Sequence, residues 1–112
     1  MFTNSEVVDG FSGWDVSNGV DFGGMFYGAP VNDDFSSWTP TKADDFASFL
    51  RSTSMSVANY DLLLNAWSLL TFDNSSIPFR CDQNYTIATS QAARDILTGS
   101  PNNWTILDNG GI

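Results

Sequence analysis

Histidine is absent from this 112-residue chain, and cysteine occurs once, at Cys81. The lack of histidine excludes Ser–His and Cys–His catalytic arrangements and the imidazole ligands of most transition-metal sites. A single cysteine cannot form an internal disulfide, and without a histidine to activate it we interpret Cys81 as a small buried apolar residue. The sequence therefore leaves carboxylate pairs as the candidate groups for acid–base catalysis.

Only two pairs of adjacent acidic residues occur, Asp33-Asp34 and Asp44-Asp45. Both pairs lie in predicted turns, where aspartate more often accepts hydrogen bonds from the nearby backbone than takes part in catalysis. Few other side chains could converge on a pocket with a perturbed pKa. We therefore predict that the protein is not an enzyme and has no catalytic residues.

Positive charge is scarce, because four Lys and Arg residues stand against 13 acidic residues and the formal net charge is −9. Nucleic-acid phosphates require a basic surface, so we predict no nucleic-acid binding. Anionic lipid is disfavoured for the same reason. Acidity of this degree serves solubility, or it favours cationic or metal-bridged partners.

Long hydrophobic runs are missing as well. No apolar stretch approaches the ~20 residues that a helix needs to cross a bilayer, which predicts no membrane insertion. The N-terminal segment Met-Phe-Thr-Asn-Ser-Glu lacks the basic region and apolar core of a signal peptide. We expect a chain without an export signal of its own.

The feature that is present is an internal repeat, and its period of about 24 residues falls within the range of known solenoid repeats. Residues 11, 12 and 14 recur at 35, 36 and 38, residues 21–22 recur at 45–46, and residues 25–26 correspond to 49–50. Matches at one fixed offset indicate stacked units that bury their apolar faces against each other. Stacked aromatic positions are usually core, so we predict that Trp14 and Trp38 lie in register in the interior. The predicted repeat-core aromatics are Trp14, Phe22, Phe26, Phe35, Trp38 and Phe46.

The local patterns predict short elements. Alternation over residues 11–16 indicates a strand, and the spacing of Phe22, Met25 and Phe26 indicates a short helical turn, with the same order repeated over 35–50. After the repeat ends, we predict a helix over 56–67 with Ser56 as its N-cap, a strand at 70–72, a helix over 90–97 and a strand at 104–106.

These elements together predict an α+β fold. It would be a short solenoid of the leucine-rich-repeat type, with two repeats of ~24 residues in 1–54 and a helical C-terminal capping unit in 55–112. The two parts would form one structural domain.

The same residues carry a resemblance to a known family. Residues 14–18 (WDVSN) and 21–29 (DFGGMFYGA) resemble the repeat W-D-V-S-N-V-x-D-M-x-x-M-F-x-G-A of BspA-like surface proteins and mycoplasma-type lipoproteins, which are related to leucine-rich repeats. Residues 59–67 resemble the segment that closes such arrays, and residues 92–94 and 104–106 resemble its tail. The resemblance implies a leucine-rich-repeat-like architecture and the C-terminal end of an array.

No cofactor is predicted, and calcium is the one metal that the carboxylates could hold. Asp21 and Asp45 occupy the same repeat position, so they could form a carboxylate ladder along one face. Capping of a short helix by each aspartate is the alternative, and we favour it.

We predict a structural or protein-interaction module on an exposed surface. A virion-surface protein (decoration or fibre-associated) or a similar assembly protein is favoured by the short length and the missing export signal. A fragment of a bacterial cell-surface adhesin is the alternative, which the family resemblance favours, and a hydrolase of surface glycans is a distant third. The corresponding locations are the virion surface and the extracellular or cell surface.

The N-terminal end is the predicted interaction edge. Because Met1-Phe2 stands one repeat period before Met25-Phe26, the first unit would begin inside a repeat and lack a polar cap. A bare solenoid end exposes apolar side chains and strand edges, and both promote association. We predict that a protein partner or a second copy covers this edge, which consists of Phe2, Val7, Val8 and Phe11.

Overall fold

Three strands and two helices form the fold of the described part of the chain. The computed structural model describes residues 10, 11 and 13–112. The elements in chain order are β1 (Phe46–Leu50), α1 (Val57–Trp67), β2 (Pro78–Cys81), α2 (Ile87–Thr98) and β3 (Thr105–Leu107).

The three strands form one parallel sheet in the order β1–β2–β3. Parallel neighbours cannot be joined by a tight hairpin, so each connection must cross over, and here α1 and α2 make the two crossovers. Phe46 pairs with Phe79, and Pro78 pairs with Thr105. The helices pack against each other and against the inward face of the sheet, where Tyr60 of α1 stacks on Phe79 with 6.3 Å between ring centroids.

Strand β1 is irregular at Ser48, whose φ is +57°. The segment from Phe46 to Leu50 spans the same length of the ladder as the shorter segment from Phe79 to Cys81. The bulge changes the alternation of side chains, so Phe46, Phe49 and Leu50 are all buried. The spacing of these three residues suggested a helical turn, and that prediction is wrong because a bulged strand gives the same inward pattern.

The loop over residues 21–28 extends the sheet beyond β1. Backbone N–H groups of Phe22, Gly24 and Gly28 donate to carbonyl oxygens of residues 45, 47 and 51 at 2.8, 2.8 and 3.0 Å. Gly24 has a φ of +65°, close to the value at Ser48, which occupies the same position in the next repeat. Phe22 and Phe46 stack with their ring centroids 5.2 Å apart. The repeat offset therefore corresponds to a real local match between two adjacent segments.

The match does not extend into a solenoid, so the predicted solenoid is wrong. The molecule is a small α+β domain with a three-stranded parallel sheet and two helices. Its strands begin at Phe46, Pro78 and Thr105, which does not follow the repeat period, because helices of 11 and 12 residues fill the crossovers. The division at residue 54 stays a prediction, although one hydrophobic core includes residues from both parts.

The helices of the second half agree with the sequence pattern. Ser56 caps α1, since its hydroxyl oxygen accepts a hydrogen bond from the Asn59 N–H at 3.1 Å. The second helix lies where a helix was predicted and begins earlier, at Ile87. The predicted strands at 11–16 and 70–72 are wrong, because the described residues of these segments are turns and irregular backbone. Within the described part of the chain, no helix has the length and apolar character needed to cross a membrane.

The core is aromatic. Five of the six predicted core aromatics are buried: Phe22, Phe26, Phe35, Trp38 and Phe46. Trp14 is the exception, because 41% of its surface is exposed whereas 1% of Trp38 is. Trp14 packs edge-on against Phe11 at the end of the core, while rings on several sides surround Trp38. The prediction that Trp14 is a core residue equivalent to Trp38 is therefore wrong.

Two buried tryptophans donate hydrogen bonds to backbone carbonyl groups earlier in the chain. Trp38 donates from Nε1 to the Phe11 carbonyl at 2.7 Å, and Trp67 donates to the Phe35 carbonyl at 3.0 Å. Trp104 is also buried, but its Nε1 has no hydrogen-bond partner among the described residues. The first two indoles thus join successive parts of the chain, and the third only fills space.

Candidate binding groove on the open face of the sheet

The sheet buries one face and leaves the other open. The inward side chains pack on the helices, whereas the outward positions are exposed or half-buried, with Ala47 on β1, Arg80 on β2 and Leu107 on β3. No described helix covers this second face. Parallel sheets in proteins are usually covered on both faces, so the open face of this sheet is available to a partner.

A groove of about 250 Å³ lies on this face. All three strands contribute to its lining; β1 and β3 supply the small residues Ala47, Ser48 and Thr105, and Leu107, 56% exposed, adds an apolar side chain. Two arginines contribute to the same lining. The residues that line the groove are Ala47, Ser48, Arg51, Pro78, Phe79, Arg80, Thr105 and Leu107.

The charged end of the groove is built by the residues that follow β1 and by strand β2. The Arg51 guanidinium lies over the Tyr27 ring, 5.2 Å from its centroid, which is a cation–π contact. Arg80 donates from Nε to Asp82 Oδ1 at 2.8 Å, and Asp82 Oδ2 accepts the Ser52 N–H at 2.8 Å. Both arginines are thus held beside the groove by neighbouring elements.

The pKa of Asp82 is lowered from its ordinary value. Partial burial acts in the opposite direction, but the hydrogen bonds from Arg80 and the Ser52 N–H, together with the charges of Arg80 and Arg51, outweigh it. Asp82 is therefore ionised at neutral pH. With two guanidinium groups and one carboxylate, this cluster carries a net charge of +1 on a molecule of net charge −9.

The predicted carboxylate ladder lies near the other end of β1. Asp21 and Asp45 are adjacent through a parallel bridge, and each accepts the backbone N–H two residues later, at 2.8 Å from Gly23 and 2.7 Å from Ala47. They therefore close local turns rather than cap helices. Among the described residues, no group of three or more His, Cys, Asp and Glu could hold a metal ion.

The remaining candidate groups for chemistry are used within the fold. Asp33 accepts the N–H groups of Phe11 and Asp34, both at 2.8 Å, and Asp34 accepts the Ser36 N–H at 2.8 Å. Cys81 is buried, and burial followed by the charges of Asp108 and Asp82 raises the pKa of its thiol. A thiol in this state is a poor nucleophile.

A buried network joins α1, α2 and the segment after β3. Asp108 accepts the Tyr60 hydroxyl at 2.7 Å and the Arg94 Nε–H at 2.9 Å. Burial first, and then Asp108, raise the pKa of Tyr60, so this phenol remains protonated. Burial acts to lower the pKa of Arg94, but the hydrogen bond and the charge of Asp108 outweigh it, so the pKa of Arg94 is raised. The network is an internal tie between elements, and it is not part of the groove.

Of the residues in the predicted N-terminal interaction edge, the structure describes only Phe11. Phe2, Val7 and Val8 lie outside the described residues. Phe11 is 2% exposed, because it packs against Phe26 and Trp14 and its carbonyl accepts the Trp38 indole. Phe11 is a core residue, so its inclusion in an exposed edge is wrong.

Sequence reasoning missed the groove. Its arginines, Arg51 and Arg80, come from segments on either side of α1, and β2 was not predicted, so nothing indicated that they would meet. One signal was present, because Phe79 and Cys81 alternate with Pro78 and Arg80, which is the pattern of a strand with one open face. Comparisons of the chain with protein-family models, with curated proteins and with solved structures find no match.

Proposed function

We propose that this protein is a non-enzymatic interaction module that binds a segment of a partner protein on the open face of its sheet. The observation that carries the proposal is the groove across β1, β2 and β3. Its lining combines small residues, one exposed apolar side chain and two guanidinium groups. This combination of an apolar floor with a few polar anchors is typical of recognition surfaces.

The size of the groove favours a protein partner over a small-molecule ligand. Pockets for small molecules have volumes of about 300–1,000 Å³ and enclose most of the ligand. A groove of about 250 Å³ on an open sheet face is smaller than that range. It accommodates a few side chains of an extended segment, which agrees with the interaction role that the sequence predicts.

The setting that we propose is an exposed surface, of a virion or of a cell. Support for an exposed surface comes from the sequence alone, namely the resemblance to BspA-like repeats, which belong to surface proteins. Neighbouring genes for capsid and tail proteins, and detection of the chain in purified particles by mass spectrometry, would support the virion. An upstream exported open reading frame would instead support the adhesin fragment.

Peptide selection tests the binding function. A random peptide library is displayed on phage and selected on the purified protein, and each binder is then measured against two variants. Ala47→Trp fills the groove, whereas Ala92→Trp makes the same change at an exposed position on α2. Thermal melting of both variants checks that the fold is retained.

We expect binders that lose affinity for Ala47→Trp and keep it for Ala92→Trp. A library that yields no binders, or only binders that both variants retain equally, would show that the open face is not a peptide-binding surface.

A further inference from the structure

We infer that the groove recognises an acidic side chain of an extended peptide segment, with Arg51 as its main contact and Arg80 as the second. This inference rests on the proposed binding function and adds the chemical class of the partner. The anionic group is a side-chain carboxylate of Asp or Glu. Its neighbours in the peptide are apolar, because Leu107 and Pro78 line the same groove.

Among the described residues, Arg51 is the arginine whose guanidinium forms no ion pair. Within the described part of the chain its guanidinium makes no ion pair within 4.0 Å and no side-chain hydrogen bond. The Tyr27 ring nevertheless holds it in place, so less side-chain entropy is lost when a ligand binds. A planar guanidinium presents paired N–H groups that match the two oxygens of a carboxylate.

Arg80 supplies further donors beside Arg51. Its described hydrogen bond to Asp82 uses only Nε, so the Nη groups keep their capacity to donate. Asp82 neutralises one of the two positive charges and orients Arg80, and the cluster keeps its net charge of +1. The second arginine therefore strengthens the attraction for one carboxylate and does not create a site for a highly charged anion.

The positions of the cationic side chains also indicate that an acidic segment would bind in the groove. Only four cationic side chains exist. Lys42 contacts Asn18 at the surface, and Arg94 is paired with Asp108, whose side chain is 3% exposed. The remaining two, Arg51 and Arg80, line one groove. An acidic segment is repelled by the acidic remainder of the surface, so this groove is where it can be held.

The test uses the binders from the display selection and synthetic copies of the strongest one. In each copy an acidic residue is replaced by its amide, Glu by Gln or Asp by Asn. Affinities are measured against the parent and against Arg51→Gln, Arg51→Lys and Arg80→Gln. Lys42→Gln is the matched control, since it changes the net charge equally at a cation outside the groove.

We expect groove-dependent binders to contain an acidic residue next to apolar residues. Arg51→Gln, and the amide replacement in the peptide, should each weaken binding by about ten- to hundredfold, because a charge-assisted hydrogen bond is lost. Arg51→Lys should have a smaller effect, and Lys42→Gln should change the affinity by less than about twofold. Added salt should weaken binding to the parent more than binding to Arg51→Gln.

Two other outcomes are distinguishable. Groove-dependent binders without an acidic residue, or acidic binders that Arg51→Gln retains with parental affinity, would overturn the inference and leave the proposed function standing. A selection with no groove-dependent binders would overturn the proposed function and the inference with it. Melting curves of the arginine variants show whether a lost affinity reflects a lost fold.

Discussion

At the scale of single residues, the indole nitrogens divide the buried tryptophans into two kinds. Trp38 and Trp67 each donate a hydrogen bond to the carbonyl of a phenylalanine that lies far earlier in the chain. Trp104 is equally enclosed and donates none within the described residues. Burial of a donor without a partner costs free energy, so the contribution of Trp104 comes from its ring surface alone.

Replacement by phenylalanine separates these contributions. Trp67→Phe and Trp104→Phe remove the same atoms, but only Trp67→Phe removes a hydrogen bond. The Phe35 carbonyl keeps its bond from the Trp38 N–H, and Trp104→Phe removes a donor that has no partner among the described residues, so we expect Trp67→Phe to cost at least about 1 kcal/mol more than Trp104→Phe. Chemical denaturation of both variants measures the difference, and equal losses would contradict the role assigned to the Trp67 indole.

A second residue-scale prediction concerns glycine in the loop that pairs with β1. Gly24 has a φ of +65°, and a Cβ there would meet no atom within 4 Å. Gly24→Ala should therefore cost about 1–2 kcal/mol through backbone strain alone. A Cβ on Gly13 would also meet no atom within 4 Å, and the φ of Gly13 lies outside the range from +20° to +160°. Gly13→Ala should therefore be neutral or slightly stabilising. Similar melting temperatures for the two variants would argue against the left-handed conformation at Gly24.

At the scale of elements, α1 provides the cap of α2. Thr86 is the N-cap residue of α2, but its side chain makes no capping hydrogen bond. Asp61, a buried carboxylate on α1, instead accepts the Thr86 N–H at 2.9 Å and the Ser90 hydroxyl at 2.6 Å. The start of α2 is thereby fixed to the middle of α1, and Asn65 of α1 adds a second polar contact by donating to the Ser90 hydroxyl oxygen at 3.0 Å.

Asp61→Ala should destabilise the protein by about 2–3 kcal/mol, because it removes two charge-assisted hydrogen bonds from a buried position. Ser56→Ala removes the ordinary cap of α1 and should cost about 1 kcal/mol. Unfolding free energies of the two variants test this order. If Ser56→Ala lowers the free energy of unfolding more than Asp61→Ala does, the hydrogen bonds from the start of α2 to Asp61 contribute little to stability.

An element could be predicted from the sequence where its local pattern of apolar and helix-ending residues is clear. Both helices could be predicted, because Tyr60, Leu63, Leu64 and Trp67 form one apolar face and Gly99 marks a helix end. The first strand could not, since the bulge at Ser48 gives a strand the apolar spacing of a helix. The groove could not be predicted either, because it depends on long-range pairing that places Arg51 beside Arg80.

At the scale of the whole molecule, four Lys and Arg residues stand against 13 acidic residues, so few ion pairs can form. Only two salt bridges occur among the described residues, Arg80–Asp82 at 2.8 Å and Arg94–Asp108 at 2.9 Å. The first is partly exposed, and such pairs contribute about 0.5–1 kcal/mol. Asp82 also accepts the Ser52 N–H at 2.8 Å, and this hydrogen bond joins the end of β2 to the turn after β1, so loss of the Asp82 carboxylate is measurable as a change in the stability of the whole fold.

The lowered pKa of Asp82 determines the direction in which the stability of the fold changes with pH. Its pKa in the folded protein lies below the ordinary value of 3.8, so its stabilisation is present above that pH and is lost as the pH falls through the folded pKa. Asp82→Asn lacks this contribution at every pH. The melting temperature of the parent should exceed that of Asp82→Asn by a few degrees near about pH 6, and the gap should close toward about pH 2. A gap that stays constant over this range would contradict ionic stabilisation by Asp82.

The parallel sheet also determines when the protein can fold as it is synthesised. Phe46 pairs with Phe79 and Pro78 pairs with Thr105, so no strand of this sheet has a hairpin partner that emerges beside it. At about 5–20 residues per second, β1 leaves the ribosome about 3–12 s before β3 does. During that interval the aromatic side chains of β1 lack part of their cover. Chaperone binding to the nascent chain should therefore peak before residues 105–107 emerge, and ribosome profiling with chaperone capture would locate that peak.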